Sequence, residues 1–362
     1  MYPNGSVCHT FLHNSVQNTF GFSSVLTKMA IKTRRMKNLK KPSLLLLAVL
    51  VLGLLTACNN KQEGVPTIGF VDAFEDNTID QARAGFMDAL KEGGFSEEGQ
   101  TLNLIYRNAQ GDIPTLTQIV RYMITREVAL VGTSPSLSTI AAIQNTKDIP
   151  IFMMVSPTPA LMEVEDAQGN APANLFGVAE NLSYIDTSFA LIPRLVQPKG
   201  EQLRVGLLYN QSEPQSVEAY ERLKGLASNL GAALVARPVN TTADVQLVAG
   251  ALLNEGIDAF FANPDNTIFS SFETIMKVCN EAGVPVFTSE AGLVARGAVA
   301  AYGADLYQWG YQAGQQAALF LKNNSTEGMQ WEMVKVRKRV YNPGAAARFG
   351  IEVPANYEAI EQ

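Results

Sequence analysis

Histidine and cysteine are scarce in this sequence of 362 residues. Both histidines, His9 and His13, lie upstream of the second cysteine, Cys58, and only Cys279 follows that position. If residues 1–57 are a cleaved targeting segment, as we expect, no histidine remains for Ser-His-Asp or Cys-His catalysis or for metal binding. Two cysteines cannot form a cysteine-rich zinc site, and lipidation of Cys58 would also exclude an internal disulfide. We therefore expect no enzyme activity and no cofactor.

After residue 57 the chain has no excess of positive charge, and the sequence contains no common phosphate-binding motif. The first 57 residues hold seven Lys or Arg and no Asp or Glu, so the remainder keeps 21 basic and 34 acidic side chains, a net charge of −13. This balance argues against a nucleic-acid partner, because phosphate binding requires a basic surface. Neither G-x-x-x-x-G-K-[ST] nor G-x-G-x-x-G occurs, which excludes the two common nucleotide-binding loops.

An apolar run from Leu44 to Leu55 is too short for a membrane-spanning helix, which needs about 20 residues. Three lysines precede the run and small residues follow it, the pattern of a secretory signal. The last four residues, Leu55-Thr56-Ala57-Cys58, resemble a bacterial lipobox. That resemblance implies cleavage before Cys58 and lipidation of its sulfur, which would anchor the protein outside the cytoplasm at the bacterial cell membrane. The alternatives are a generic signal peptide with a chance cysteine or a short buried helix.

Four segments follow from this interpretation. Residues 1–57 form a signal region in which 1–35, being polar and aperiodic, are interpreted as a mis-called or non-native extension. Residues 58–66 form a polar, lipid-anchored tether. The remaining chain of about 300 residues exceeds the size at which single cores stop growing, so we expect two lobes.

After the tether, short apolar runs alternate with longer amphipathic ones. "TIGFVD" (67–72) is typical of a strand and "NTIDQARAGFMDALKEGGF" (77–95) of a helix, and the alternation continues through "IPIFMMV" (149–155). This alternation predicts an α/β fold with parallel sheets and helices on both faces. Cys279 and Trp309 lie on amphipathic helices and are interpreted as core residues.

The same pattern occurs twice. "TIGFVDAFEDNTIDQARAGFMDAL" has a counterpart in "RVGLLYNQSEPQSVEAYERLKGLA". Gly69 and Gly206 are 137 positions apart, and Pro150 and Pro285 are 135 apart. The near-constant offset indicates two similar α/β lobes rather than a solenoid of short repeats.

Six polar loops follow the predicted strands, and ligands of open α/β sheets bind beyond the carboxyl ends of the strands. "TSPS" (133–136) could hold a carboxylate at a helix start, Asp265 or Glu290 could meet an ammonium, and Phe74 could cover an apolar side chain. Equally, Ser136 and Asp265 could be ordinary helix caps, and Phe74 could pack at a lobe edge. The candidate ligand-binding residues are Asp72, Phe74, Thr133, Ser134, Ser136, Ser156, Tyr209, Ser212, Glu213, Asp265, Asn266, Ser289 and Glu290.

From Thr67 onward the chain resembles the substrate-binding lipoproteins of ABC importers, in the family that includes tryptophan- and tyrosine-binding components. "LIYRNAQGD", "VGLLYNQSEPQS", "NPDNT", "VPVFTSEAGLVARGAVAAYGADLYQWGYQAG" and "VYNPGAAARFGIEVP" carry the resemblance. It implies a type I periplasmic-binding-protein fold, with two Rossmann-like lobes joined by three crossovers. The implied N-terminal lobe is 67–181 plus 299–325, and the C-terminal lobe is 182–298 plus 326–362.

The resemblance also implies roles for particular loops. Thr133, Ser134 and Ser136 match the loop expected to hold an amino-acid carboxylate, and Asp265 with Asn266 matches the polar pair expected near the amino group. The sequence departs from the family at "SPTP" (156–159), where many relatives carry Thr-Asp-Pro, and at Glu290, where relatives often have Asp.

We therefore expect a monomeric, membrane-tethered receptor that binds a small molecule, an amino acid with an aromatic or large apolar side chain, and presents it to ABC permease subunits. Two alternatives stay open. The same clamp could serve a sensor that signals through a membrane partner, and the carboxylates could serve a hydrolase or transferase.

Overall fold

Short strands and longer amphipathic helices alternate along residues 64–360, the part of the chain that the computed structural model describes. These residues belong to one compact unit, 63–362. The predicted signal region, the lipidation site Cys58 and most of the tether lie outside the described residues.

Strand and helix bounds within this part of the chain agree closely with the pattern of the sequence. The strands are β1 (Thr67–Asp72), β2 (Asn103–Asn108), β3 (Val131–Ser134), β4 (Ile151–Pro157), β5 (Leu175–Glu180), β6 (Arg204–Asn210), β7 (Ala233–Val239), β8 (Ala259–Ala262), β9 (Val286–Thr288), β10 (Ala300–Ala304), β11 (Glu332–Met333), β12 (Arg337–Tyr341) and β13 (Glu358–Ala359). The helices are α1 (Asp80–Glu92), α2 (Ile113–Thr125), α3 (Ser136–Asn145), α4 (Ile185–Phe189), α5 (Ile192–Leu195), α6 (Pro214–Asn229), α7 (Val245–Asn254), α8 (Asn266–Ser270), α9 (Phe272–Glu281), α10 (Ala291–Ala295), α11 (Leu306–Asn323) and α12 (Pro343–Phe349).

The two repeated parts of the sequence each form a sheet. The first sheet has six strands in the order β11-β5-β4-β3-β1-β2, and the second has four in the order β7-β6-β8-β9. The order β2-β1-β3-β4 of the first sheet therefore recurs in the second, and all of these strand pairs are parallel. The predicted α/β class with parallel sheets is confirmed.

The correspondence between the sheets extends to single hydrogen bonds. The Val131 N–H donates to the Pro150 carbonyl at 2.9 Å, and the Phe260 N–H donates to the Pro285 carbonyl at the same distance. Both prolines stand immediately before a strand, where the absence of an N–H costs no ladder bond. The two prolines with a 135-residue offset thus occupy equivalent places.

A third, three-stranded sheet is formed by strands that follow both repeated parts along the chain. Its order is β10-β12-β13, and β12 runs antiparallel to β10. The short strand β11, which precedes β12, pairs instead with β5 in the first sheet. Residues 332–341 therefore contribute to both the first and third sheets, although the predicted boundary assigns them to the C-terminal lobe. The division of the chain into lobes stays a prediction.

Close helix packing fixes α11 against the first sheet. A Cβ atom at Gly310 would lie 1.7 Å from the Ala82 carbonyl oxygen, and one at Gly85 would lie 2.0 Å from the Tyr307 carbonyl oxygen. Only glycine allows the backbones of α1 and α11 to approach this closely. The approach buries Trp309, whose indole N–H donates to the Val178 carbonyl at 2.8 Å.

Cys279 is fully buried on α9, as predicted, and burial raises the pKa of its thiol to about 12. It therefore stays protonated and packs as a small apolar side chain. Among the helices of residues 64–360, none is long and apolar enough to cross a bilayer.

Candidate functional site

A cavity lies where the carboxyl ends of the first-sheet and second-sheet strands meet. Its polar lining residues are Ser136, Ser156, Glu180, Gln215, Asp265, Asn266 and Glu290. Its apolar and aromatic lining residues are Val155, Pro157, Leu182, Tyr184, Pro264, Phe269 and Trp309. The mixture of a largely apolar wall with a few convergent polar groups is typical of a small-molecule site.

Five of the thirteen candidate residues reach the lining: Ser136, Ser156, Asp265, Asn266 and Glu290. Thr133 stands behind the lining, since Thr139 bonds to its hydroxyl at 2.9 Å and to the Ser156 hydroxyl at 3.1 Å. Glu213 and Ser289 also stand one layer back, because they bond to Asn266 and Glu290 respectively.

The remaining five candidates lie outside the lining. Asp72 is buried beside Arg83, with 3.4 Å between its Oδ2 and the guanidinium Nε, and burial raises its pKa to about 7. Phe74 packs in a hydrophobic core cluster, and Tyr209 stacks on the Tyr220 ring at 4.5 Å. Ser134 is buried in β3, and the backbone N–H of Ser212 donates to Asn210. Direct ligand contact by these five stays a prediction.

Backbone irregularity in β4 shapes the first-sheet side of the cavity. The register between β4 and β5 shifts between Met153 and Ser156, and Val155 adopts a φ of 51°. A positive φ is rare for a β-branched residue, and β-bulges are frequent next to functional sites because they redirect side chains. The irregular segment of β4 contributes three residues to the cavity lining: Val155, Ser156 and Pro157.

Helix α3 brings backbone donors to the same side. Among the described residues, no acceptor pairs with the Ser136 and Leu137 N–H groups at its start, whereas the Ser138 N–H donates to the Pro135 carbonyl at 3.0 Å. Ser136, the first residue of α3, lines the cavity, and its hydroxyl accepts a 3.1 Å hydrogen bond from the Asn266 amide of the second-sheet side. A carboxylate would meet the two free N–H groups, the helix dipole and the Ser136 hydroxyl, which still has its own hydrogen to donate. The Asn266 amide is not among these donors, because it already donates to Ser136 and to Glu213.

Asp265 is fully committed to protein partners. Its Oδ1 accepts from the Ile268 N–H at 3.0 Å and so caps α8. Its Oδ2 accepts from the Asn210 N–H at 2.7 Å and from the Ser216 hydroxyl at 2.5 Å. The capping interpretation is therefore confirmed, whereas the predicted contact with a ligand ammonium stays a prediction.

Glu290 is buried in the lining. Its Oε1 accepts from the Tyr184 hydroxyl at 2.6 Å and from the Ser289 hydroxyl at 3.2 Å. Burial raises the pKa of its carboxyl to about 7, with a further contribution from the nearby negative charge of Glu180. Within residues 64–360 no basic side chain forms an ion pair with Glu290, so its charge is uncompensated at the cavity wall.

Glu180, the other glutamate in the lining, has a different environment. Both of its oxygens accept 2.7 Å bonds from the Arg337 guanidinium, in the bidentate arrangement that favours this pair. Burial nevertheless raises the pKa of Glu180 above its usual value, and the arginine opposes that shift. Its charge is thus already balanced, unlike that of Glu290.

Sequence reasoning missed several lining residues, and only some had a signal. Glu180 ends β5 and Pro264 belongs to the "NPDNT" loop, so both follow from the rule that ligands bind at strand ends. Tyr184 lies after β5 in a short 3₁₀ turn without a recognisable motif. Trp309 is a core residue, as predicted, but its side chain also forms part of the cavity wall.

Comparison with known proteins agrees with this geometry. The family of ABC transporter substrate binding proteins matches residues 67–360. A tyrosine-binding protein from Clostridioides difficile is 30% identical over 302 residues, which are 80% of this chain and 86% of the relative.

Two solved structures share the fold over nearly their whole length. The chain has a TM-score of 0.72 and 21% identity with an ABC domain from Streptococcus pneumonia in complex with L-Trp, covering 81% of this chain and 99% of that one. It has a TM-score of 0.61 and 26% identity with the ligand-free, open structure of a substrate binding protein from Clostridium difficile, covering 82% and 99%. The predicted type I periplasmic-binding-protein fold is confirmed.

Proteins of this family bind solutes outside the cytoplasm for ABC transporters and are not enzymes, as the sequence predicted. Within the described residues, no cluster of three or more His, Cys, Asp or Glu could hold a metal ion. The match extends over most of the chain and includes both sheets and the cavity between them. This chain therefore belongs to the ABC transporter substrate-binding protein family.

Proposed function

We propose that the protein captures an aromatic amino acid in this cavity and delivers it to an ABC permease. The relatives named for tyrosine and solved with L-Trp support an aromatic ligand. So do the aromatic rings of Tyr184, Phe269 and Trp309 in the lining. Flat apolar side chains against aromatic walls gain both buried area and ring contacts.

The unpaired charge of Glu290 is the observation that carries the proposal. A buried carboxylate without a cation costs free energy, and a ligand ammonium would remove that cost. We place the ligand ammonium at Glu290 rather than at Asp265, whose oxygens are already occupied. The ligand carboxylate would then lie at Ser136 and the start of α3, where the Ser136 hydroxyl still has its own hydrogen to donate.

We further propose that the two sheets with their flanking helices are lobes that close on the ligand. The first lobe contains the first sheet, and the second lobe contains the second sheet. The hydrogen bond between Ser136 and Asn266 joins residues of the two lobes directly. A ligand that contacts both sides would favour the closed arrangement over an open one, which is how ligand binding shifts such an equilibrium.

Attachment to the membrane forms the other part of the proposal. The lipobox-like residues 55–58 and the apolar run before them support a lipid on the Cys58 sulfur that tethers the domain to the outer face of the cell membrane. Cys58→Ser should abolish incorporation of a labelled fatty acid and move the protein from the membrane fraction to the soluble fraction. Membrane retention of that variant would contradict lipid anchoring.

Ligand class is tested by isothermal titration calorimetry of the purified protein with L-tyrosine, L-tryptophan, L-phenylalanine and L-leucine. We expect stoichiometric binding of at least one aromatic amino acid, and weaker binding of the same compound as its amide or its N-acetyl derivative. Those derivatives remove the carboxylate charge and the ammonium charge separately. Binding of a sugar or polyol in preference to all amino acids would overturn the proposal.

A further inference from the structure

An ion pair outside the ligand cavity joins the two lobes. Arg296 follows α10 on the second-lobe side, and Asp76 lies in the loop after β1 on the first-lobe side. The Arg296 guanidinium donates to Asp76 Oδ2 at 2.6 Å and to the Thr78 hydroxyl at 3.2 Å. The carboxyl group of Asp76 is almost completely buried, and the arginine side chain is 16% exposed.

The same guanidinium is also held within its own lobe. It forms two 2.8 Å bonds to Glu273 and donates to the Phe269 carbonyl at 3.3 Å, and it lies over the Phe272 ring at 5.2 Å. Phe269 belongs to the cavity wall. Arg296 is therefore pre-positioned by the second lobe, and Asp76 is its partner from the first lobe.

Backbone geometry presents Asp76 toward this contact. Its Oδ1 accepts from the Thr78 N–H at 2.9 Å and from the Ile79 N–H at 3.0 Å, which fixes the carboxyl group and leaves Oδ2 to face the arginine. The lobes also approach sterically at this point. A Cβ atom at Gly292 of α10 would lie 2.0 Å from the Thr78 Cγ2 atom.

From these contacts we infer that Arg296 and Asp76 form an interlobe latch that holds the closed, ligand-bound state and slows ligand release. The inference rests on the proposed function, because it requires lobes that open and close. It assigns both residues a positioning role, since neither belongs to the cavity lining. The latch would act on dissociation because its two halves meet only after the lobes have closed.

Asp76→Asn is the sharpest test. The retained oxygen can still accept from the Thr78 and Ile79 N–H groups, so the loop keeps its structure. The new amide nitrogen then faces the Arg296 guanidinium. Both groups are hydrogen-bond donors, so the ion pair is replaced by a repulsive contact. We expect the dissociation rate of L-tyrosine to rise about tenfold, the change that 1.4 kcal/mol produces, while the association rate changes less than threefold.

Glu255→Gln is the matched control. It neutralises the carboxylate of another arginine ion pair, Arg237–Glu255 at 2.6 Å, which lies within the second lobe and does not involve Arg296. We expect the dissociation rate to stay within twofold of wild type. The melting temperature of the unliganded protein should be unchanged in Asp76→Asn, whereas the rise caused by ligand should be smaller than in wild type.

Single-molecule energy transfer provides a readout that does not depend on ligand identity. Dyes at Gln118→Cys on α2 and Ser228→Cys on α6 would report the distance between the lobes, since both positions are exposed and Cys279 is buried. We expect a smaller closed fraction in Asp76→Asn than in wild type. Equal closed fractions, or equal dissociation rates, would overturn the latch. Failure of wild type to bind any aromatic amino acid would instead overturn the proposed function.

Discussion

Replacing Glu290 by Gln tests the proposed ammonium site most directly. The substitution keeps the size of the side chain and an oxygen that can accept from Tyr184 and Ser289, but it removes the charge. A hydrogen bond to a charged group contributes about 1.5–3 kcal/mol, so we expect L-tyrosine to bind about 10- to 100-fold more weakly at pH 8.

The dependence of affinity on pH separates this role from a general packing effect. The pKa of Glu290 is raised to about 7, so the carboxyl is ionised at pH 8 and mostly protonated at pH 5. The ligand ammonium needs the ionised form, so wild-type affinity should fall by up to about tenfold for each pH unit below 7. The affinity of Glu290→Gln should vary much less, and the two proteins should converge near pH 5.

The stability of the unliganded protein should depend on pH in the opposite sense: stability should fall as pH rises, whereas ligand affinity should rise. A carboxyl whose folded pKa lies above its unfolded value of 4.5 binds more protons in the folded state, so its contribution to stability falls as pH rises from 4.5 to about 7. The cost at pH 8 is roughly 3 kcal/mol. Glu290→Gln does not carry this cost, so it should melt several degrees higher than wild type at pH 8, with little difference at pH 4.5.

Calorimetry from pH 5 to pH 8 and thermal melts over the same range provide both measurements. Asp72 and Glu213, whose pKa values burial also raises, are present in both proteins and cancel in the comparison. Glu255→Gln, which removes a carboxylate outside the cavity lining, should follow the wild-type profile. The reasoning is refuted if Glu290→Gln binds L-tyrosine with wild-type affinity at pH 8, or if it keeps the wild-type pH dependence.

Other substitutions address the cap, the approach of the lobes and the cavity wall. Asp265→Ala removes a cap and two buried acceptors, so urea unfolding should show a loss of roughly 2–4 kcal/mol; unchanged calorimetric affinity would remove Asp265 from the ligand site. Gly292→Ala places a methyl group against Thr78, so calorimetry should show about tenfold weaker binding with no fall in the unliganded melting temperature, and wild-type affinity would contradict the close approach. The protein has two tryptophans, and Trp309 lines the cavity. L-tyrosine should therefore change the tryptophan fluorescence emission even in Trp331→Phe. Loss of the change in that variant would show that it comes from Trp331 and not from the cavity.

Several features of this protein follow from local sequence. The apolar periods and the Gly and Pro signals predicted strands such as β1 and helices such as α1 because those preferences depend on near neighbours. The repeated pattern predicted two similar α/β parts, and the two sheets do share one strand order, since the same succession of strand, loop and helix forms the same unit twice. The rule for strand ends placed Ser136, Ser156 and Glu290 in loops that do reach the cavity.

The cavity itself depends on contacts between distant segments. Tyr184 and Glu290 are 106 residues apart, Ser136 and Asn266 are 130 apart, and each pair meets only because of how the sheets pack. No local pattern distinguishes Glu290, without a cation, from Asp265, whose oxygens are both used inside the protein. Sequence alone therefore determined the family, the fold class and the loops at the site. The tertiary structure decided which carboxylate is free to meet a ligand, because hydrogen bonding and burial are properties of packed neighbours.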